Sequence, residues 1–451
     1  MYKKNISFQI MKYVRPIWYF HLDSEKILNS AWINYKNLSD QQKKNITYDS
    51  NYSDKSICDW DASFQLLVRG FVKRSDDKIE LPDLIVEPYD IYYFTRKYYK
   101  NIWVYKTLLQ RIIFLHNPIL ELFAFIKSRK AKKVNLYNKH YVYEDYTYFK
   151  SELVKSKPYI NIIIPTLNRY EALHNLLMDL EQQDYTEFKL IVIDQSNPFN
   201  KLIYKKYNLD LQVIHQKKAA LWQARNNGVK LSNSEYLLFL DDDSRVGSNF
   251  IYEHIKCLDF FNADISSGIS ISKIGGEVPE NYYYHRLSDQ LDTGNVLIKK
   301  KVFYDCGLFD EKFEKMRMGD GEYGVRAYLN GFKNISNPYA SRMHLKMSRG
   351  GLREMGHWDG LRPNKILDPR PIPSVSYFFR KYWGNEAALL YIINYIPTSL
   401  SPYRFKNSRI ANALSLIIFL FIFPIIFFII LKSWYFSTRI LKSKSMIYDI
   451  K

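Results

Sequence analysis

Three consecutive carboxylates, Asp241, Asp242 and Asp243, follow the apolar run Tyr236-Leu237-Leu238-Phe239-Leu240. The run reads as a buried strand that delivers the acids to its carboxyl end. Like charges side by side repel, so a folded chain keeps them together only with a compensating cation. Oxygen ligands of this kind suit Mg²⁺ or Mn²⁺, with phosphate oxygens completing the shell. Taken alone, the same residues also fit an acidic loop after an edge strand. The choice depends on what else falls at that end of the sheet.

Ile160 to Pro165 reads as a short buried strand, and Thr166-Leu167-Asn168-Arg169 as its turn into a helix. Asn168 with Glu171 has the spacing of a capping box, and Leu173, Leu176, Leu177 and Leu180 form a core-facing stripe. Phe188 to Ile193 is a second strand ending in Asp194, and Leu211 to Ile214 a third. Ala219 to Leu231 reads as a helix leading to the strand Glu235 to Leu240. This alternation predicts a mostly parallel, Rossmann-like α/β sheet with right-handed crossovers. Ligands sit at the carboxyl ends of such strands, where Thr166, Asp194 and Asp241 all fall. The acids therefore read as part of a site.

Further on, Gly294-Asn295 precedes another strand, at a point where backbone can approach a ligand. Val302 to Gly307 reads as a helix, followed by the turn Leu308-Phe309-Asp310. Asp320 lies between Gly319 and Gly321 at a loop-to-helix junction, as a reactive carboxylate or a plain helix cap. Glu322 and Arg326, four apart, read as a structural pair. Lys333 to Ile335 is strand-like up to Pro338, and His344 follows as a ligand or a structural histidine.

In this order, residues of about 158–345 resemble the family 2 glycosyltransferases, which have the GT-A fold. The matching stretches are Ile163 to Arg169, Val192-Ile193-Asp194, Ala224 to Gly228, Leu240 to Asp243, Gly294-Asn295, Gly307 to Asp310, Asp320-Gly321-Glu322 and His344. The resemblance implies that Thr166, Asn168, Arg169, Asp194, Arg225, Asp241, Asp242, Gly294 and Asn295 bind the nucleotide sugar. It implies that Asp243 and His344 bind Mn²⁺ or Mg²⁺, and that Asp320 is the catalytic base. Two positions depart from the family pattern. Gly319 stands where Glu is usual, and Gln195-Ser196 where Asp-Gly is commoner. The implied activity is metal-dependent, inverting sugar transfer from a nucleotide sugar, most simply a UDP-sugar, to a glycan or lipid-linked hydroxyl in cell-surface polysaccharide synthesis. A sugar-phosphate nucleotidyltransferase is the alternative enzyme. It would want a Gly-rich basic loop after the first strand, which Pro165-Thr166-Leu167-Asn168 is not. A processive synthase would need several spans and a Gln-X-X-Arg-Trp segment, and the nearest run here is Arg380-Lys381-Tyr382-Trp383. A retired glycan-binding protein would be expected to have lost Asp243 or Asp320, and both are present.

The 451 residues allow more than one domain, and the expected division is an accessory region 1–155, the GT-A domain 156–350, an extension 351–408 and a membrane segment 409–451. A net charge of +19 admits an anionic membrane as partner, while its spread along the chain argues against nucleic acid. Cys58, Cys257 and Cys306 are far apart, which reads as reduced thiols in a cytoplasmic setting. No signal peptide is expected, and the Asn-X-Ser/Thr triplets read as chance. Ile79 to Tyr93 has room for a strand or two, interrupted by Pro82 and Pro88. Ile102 to Ile126 is apolar at helical spacing with a break at Pro118, and a basic run follows from Lys127 to Lys133. It reads either as a core helix or as a helix lying on an anionic membrane. Residues 347–365, with Ser348, Arg349, Gly350, Gly351, Arg353, Gly356 and Gly360, read as a mobile basic loop. Ala413 to Leu431 is apolar enough to cross a bilayer as one helix, anchoring the chain at the cytoplasmic face, with a re-entrant or interfacial segment as the alternative.

Overall fold

The computed structural model describes residues 2–26, 35, 38–73, 85–272, 278–347, 350–351, 359–363, 365 and 367–450. The chain divides into two units. One is helical and takes residues 1–69, 77–141 and 359–443; the other carries the large sheet and takes 70–76, 142–358 and 444–451.

The helical unit begins with α1 (Ile6–Met11), α2 (Lys55–Val68), α3 (Pro88–Tyr98), α4 (Asn101–Ile113) and α5 (Pro118–Lys127). Where the sequence allowed strands over 79–93, residues 79–84 lie outside the described ones and Pro88 opens α3. Proline suits a first helical position because that N–H has no partner anyway, and Glu87 with Asp90 closes a reciprocal cap. Pro118 does the same for α5, with Asn117 accepting from the N–H groups of Ile119 and Leu120.

The sheet-bearing unit follows with β1 (Ile160–Thr166), α6 (Tyr170–Glu181), β2 (Phe188–Asp194), β3 (Leu211–His215), α7 (Leu221–Leu231), β4 (Tyr236–Leu240) and β5 (Ser244–Val246). Then come α8 (Phe250–Phe260), β6 (Ile265–Ser272), β7 (Arg286–Leu287), β8 (Asn295–Lys299), α9 (Lys301–Cys306), α10 (Gly319–Leu329) and β9 (Asn334–His344). Strand order is β3-β2-β1-β4-β8-β6-β9-β5, with β7 beside β9. The expected parallel arrangement holds across β3, β2, β1 and β4. Beyond β4 the sheet is mixed, because β8 is antiparallel to both neighbours. No crossover helix separates β6 from β8 among the described residues, and without one a returning strand runs antiparallel. Strand β9 continues through Pro338 by slipping register between Asn337 and Ser341, where the sequence suggested a stop.

The chain then returns to the helical unit with α11 (Pro373–Tyr382), α12 (Gly384–Tyr395), α13 (Arg409–Phe421) and α14 (Phe423–Lys442). The accessory region and the C-terminal extension, expected as separate parts, thus close one core. Trp383 donates to the carbonyl of Trp18 at 2.8 Å, and Asn394 to that of Tyr13 at 3.0 Å. The expected single helix over 413–431 is broken. The α-helix ends at Phe421 and restarts at Phe423, with Pro424 in the first turn of α14, where its missing N–H cannot carry the preceding ladder. Of the expected mobile loop, Ser348, Arg349, Arg353 and Gly356 lie outside the described residues. The three cysteines are buried and free.

Candidate active site

Strand order reverses between β1 and β4, and the crevice at such a switch point is where α/β sheets take ligands. Register brings the reactive residues there. Thr166 pairs with Asp194 across β1 and β2, and Ile163 pairs with Phe239, which sets Thr166 level with Asp242. Asn295 opposes Leu240, so Gly294 lies beside Asp241, and His344 opposes Ser244, next to Asp243.

The three aspartates have different surroundings. Asp241 is held by two guanidiniums, with Arg225 at 2.8 Å on Oδ1 and Arg342 at 3.1 Å on Oδ2. Asp242 is buried, accepting from the Thr166 hydroxyl at 2.7 Å and from Arg169 at 3.2 Å. Burial lifts its carboxyl to about 7, against the opposing pull of Arg169. Asp243 is buried too, but its pairing with His344 and then the charges of His344, Arg169 and Arg342 outweigh that burial and hold it at about 2. The backbone carbonyl of Asp243 also accepts from Leu345 N at 2.9 Å, which ties the end of β9 to the acids.

Asp241, Asp243 and His344 each offer a ligand atom within 4.8 Å of the others. Oδ1 of Asp243 is buried with no hydrogen-bond partner, although Nε2 of His344 lies 3.3 Å away. A desolvated carboxylate oxygen without a donor is costly unless something binds it. Two carboxylates and an imidazole nitrogen therefore fit a divalent cation of the Mn²⁺ or Mg²⁺ type. Both oxygens of Asp241 already hold guanidiniums, so Asp243 and His344 are the donors with room.

Asp320 sits in the first turn of α10, half-buried, and accepts from Gly321 N at 2.8 Å. Burial raises its carboxyl, Asp292 adds to that, and Arg317 and Arg225 oppose it. The cap position itself belongs to Met318, in the left-handed region at φ 85°. A Cβ at Gly319 would run into the indole of Trp222, whose Nε1 donates to the carbonyl of Phe313 at 3.0 Å. A glutamate has no room there, which accounts for that departure from the family pattern. Glu322 and Arg326 form the expected pair, buried at 2.8 Å.

Other expected contacts lie deeper. Asp194 is fully buried and satisfied by the hydroxyls of Tyr170 and Tyr204 and by Ser196 N, at 2.8–2.9 Å. Asn295 has no exposed surface; its amide donates to the carbonyls of Ile269 and Ala340, both at 3.0 Å, bracing the irregular stretch of β9. Neither presents a free group to the crevice. Asn168 does not cap α6: it adopts φ 54°, and its side chain accepts from Asn197 N at 3.1 Å while Arg169 takes the cap position. At the second departure, Gln195 accepts from Ala220 N at 2.6 Å and Ser196 from Asn168 N at 2.8 Å, so the pair knits the loops together.

Sequence reasoning missed Arg342 and Asp292. Arg342 is buried and reaches Asp241, Ser244, Ser270 and Asp292, the last at 3.0 Å. It lies two residues before His344 on β9, so strand periodicity puts both on one face, and that was the available signal.

A mixed α/β sheet with carboxylates gathered at its switch point defines a nucleotide-site architecture of the GT-A kind. Residues 161–315 match the family model Glycosyl transferase family 2. A Haemophilus influenzae protein named an uncharacterized glycosyltransferase is 29% identical over 115 residues, 22% of this chain and 39% of that protein. Poly(ribitol-phosphate) beta-N-acetylglucosaminyltransferase TarS of Staphylococcus aureus is 27% identical over 186 residues, 38% of this chain and 32% of its own. The crystal structure of S. aureus TarS 1-349 in complex with UDP-GlcNAc has a TM-score of 0.43 at 19% identity, covering 62% of this chain and 81% of that one. The chain spans well under half the length of these two curated relatives.

Proposed function

We propose that the sheet-bearing unit transfers a sugar from a nucleotide-sugar donor to an acceptor hydroxyl, with inversion at the sugar carbon, in polysaccharide synthesis. The reading is carried by Asp320: a half-buried carboxyl, raised above its ordinary range, within the field of Asp292 and Arg225. Arg225 in turn grips Asp241, so the raised carboxyl and the acidic cluster share one electrostatic site. In its charged form Asp320 accepts the proton of the acceptor hydroxyl as that oxygen attacks, and a raised carboxyl is a stronger base for the purpose. One base with in-line attack gives inversion.

Asp243 and His344, with Asp241 beside them, are the residues that would hold Mn²⁺ or Mg²⁺. When bound, that ion neutralises negative charge on the departing diphosphate. Arg169 sits between Asp242 and Asp243, so it can turn to phosphate oxygens without leaving the site. The glycosyltransferase names of the relatives support a sugar-transfer reaction, and the name of TarS, a poly(ribitol-phosphate) beta-N-acetylglucosaminyltransferase, supports a polymeric acceptor. The basic chain and its apolar helices support work at the cytoplasmic face of a membrane.

The test is a panel of nucleotide sugars with and without Mn²⁺, scored for nucleotide release. Release with one donor class, abolished in Asp320→Asn while donor binding persists, is expected. An Asp320→Asn protein with normal turnover would remove the base assignment.

A further inference from the structure

Helices α4 and α5 are turned inside out. The buried side of α4 consists of Val104, Thr107, Gln110 and Arg111, three of them polar. From α5, Glu121 is buried together with Ala124 and Phe125, and its carboxylate meets Arg111 through two bonds of 2.7 Å with the hydroxyl of Tyr92 at 2.6 Å. The apolar stripe points outward instead. Leu109, Ile113, Leu120 and Phe123 are exposed, and Leu115 at the turn is 92% exposed. A chain folding in water alone would not spend polar groups on the inside of a hairpin and set leucines outside it. The sequence allowed a core helix or a helix lying on a membrane, and the outward stripe supports the second.

A second apolar surface belongs to the same unit. On α13 and the first half of α14, Leu414, Ile418, Phe421, Phe428 and Leu431 are exposed, Phe421 at 83%. Opposite residues Ile426 and Ile429 pack on Ile392 of α12 and on Ile396 just after it. The second half of α14 is bound to α11 by polar contacts: Ser433 to Ser376 at 2.9 Å, and Arg380 to the Trp434 carbonyl and the Thr438 hydroxyl at 3.0 and 2.8 Å. A helix held this way along one half is not immersed over its whole length.

After α14 the chain belongs to the sheet-bearing unit, where Leu308 N donates to the carbonyl of Tyr448 at 2.7 Å. Among the described residues no helix other than α14 is long and apolar enough to cross a membrane. At about 1.5 Å per residue, the 13 residues of α13 reach only about 20 Å, short of a hydrocarbon core of about 30 Å.

We propose that the α4–α5 hairpin and the bent α13–α14 pair form a monotopic docking surface that lies in the headgroup region of an anionic bilayer without crossing it. The occupant follows from charge. Lys127 at the end of α5 and Arg129, Lys130 and Lys132 just after it are exposed, as are Arg404 before α13 and Arg409 at its start, rimming both apolar faces with cations. Apolar side chains entering the acyl boundary beside a basic rim is the arrangement that binds anionic lipid. The proposal does not depend on the transferase reading, because it is tested without any donor.

Purified full-length protein is floated with vesicles of phosphatidylcholine plus phosphatidylglycerol, and with phosphatidylcholine alone. Binding to the anionic vesicles is expected, with about tenfold or greater loss in Leu109→Ser/Ile113→Ser/Phe123→Ser at unchanged circular dichroism. In parallel, Ser445→Cys after α14 and Lys201→Cys on the sheet-bearing unit are labelled on vesicles with a membrane-impermeant maleimide. Equal labelling is expected, the native thiols being buried. A tail cysteine protected while position 201 reacts would show a crossing and overturn the proposal. So would unchanged vesicle binding by the triple variant, or failure of the folded protein to float. A dimer that the triple variant dissolves, with no vesicle binding, would assign the surface to a second copy instead.

Discussion

The two units each bury a cluster of charge, and the clusters are built to opposite rules. In the helical unit, Lys97 is 1% exposed and lies 2.7 Å from Asp61 and 3.0 Å from Asp49. Asp61 also accepts from Tyr52, Tyr98 and Gln65, so every oxygen has a donor. In the sheet-bearing unit Asp243 keeps a buried oxygen with no donor, beside two further acids. A satisfied network rigidifies a core, whereas an unsatisfied one stays ready for a ligand. The distinction is what separates scaffold from site here.

The largest expected effect tests the unsatisfied cluster. Asp243→Asn and Asp320→Asn should each lower turnover by about a thousandfold or more if one is the proposed metal ligand and the other the proposed base. Neither should lower the melting temperature much, because a repelling charge is lost from the acidic cluster in the first case and an amide oxygen can still accept from Gly321 N in the second. Mn²⁺ without donor should raise the melting temperature of the parent protein and not that of Asp243→Asn; a variant that still responds would move the ion elsewhere.

Lys97→Met sharpens the other side. It leaves Asp61 and Asp49 buried without their cation, and breaking one partner of such a pair costs about 3–5 kcal/mol. Urea unfolding should show that loss, while turnover of the folded fraction stays unchanged. A small stability change would mean that water reaches the network and that it is not scaffold.

Gly294→Ala should fall between. A Cβ there meets the carboxylate of Asp241 and the guanidinium of Arg342, so the Asp241–Arg342 contact must open. Overpacking of this kind costs about 1–3 kcal/mol. Donor affinity should weaken while the metal response at Asp243 persists, separating the clamp from the ion site in one variant.

The same contrast explains what the sequence disclosed. Strands β1, β2 and β4 are continuous apolar runs ending in Thr166, Asp194 and Asp241, so local pattern alone placed the site's floor. The Arg342–Asp292 clamp depends on β9 pairing with β6 and β5, a long-range register that no local window contains. Asn168 with Glu171 had the spacing of a cap, yet a contact from Asn197 N, twenty-nine residues on, took the side chain. Spacing revealed the apolar stripe of α4 but not the direction it faces. That was set by Arg111 and Glu121, which must find each other inside. The composition of 413–431 was legible as membrane-seeking; the break at Ile422 was not, because one proline can open a helix or kink it.

That buried pair gives the smallest effect, and it carries a pH sign. Burial alone would raise the Glu121 carboxyl, but hydrogen bonds from Arg111 and Tyr92 and the charge of Arg111 hold it below the ordinary glutamate range. The unfolded chain releases the proton near about 4.3. A carboxyl depressed on folding adds stability that is complete above the unfolded value and disappears as pH falls through the folded one, because protonation then costs the native state its ion pair. Unfolding free energy followed from pH 7 downward should therefore decline in the parent protein, with a share on the order of 1 kcal/mol missing from Glu121→Gln. His116 lies in the same field, and its imidazole is lowered first by burial and then by the charge of Arg111. An identical acid slope in parent and variant would show that the hairpin's polar interior is already hydrated, and would take away the reason for its apolar residues to face outward.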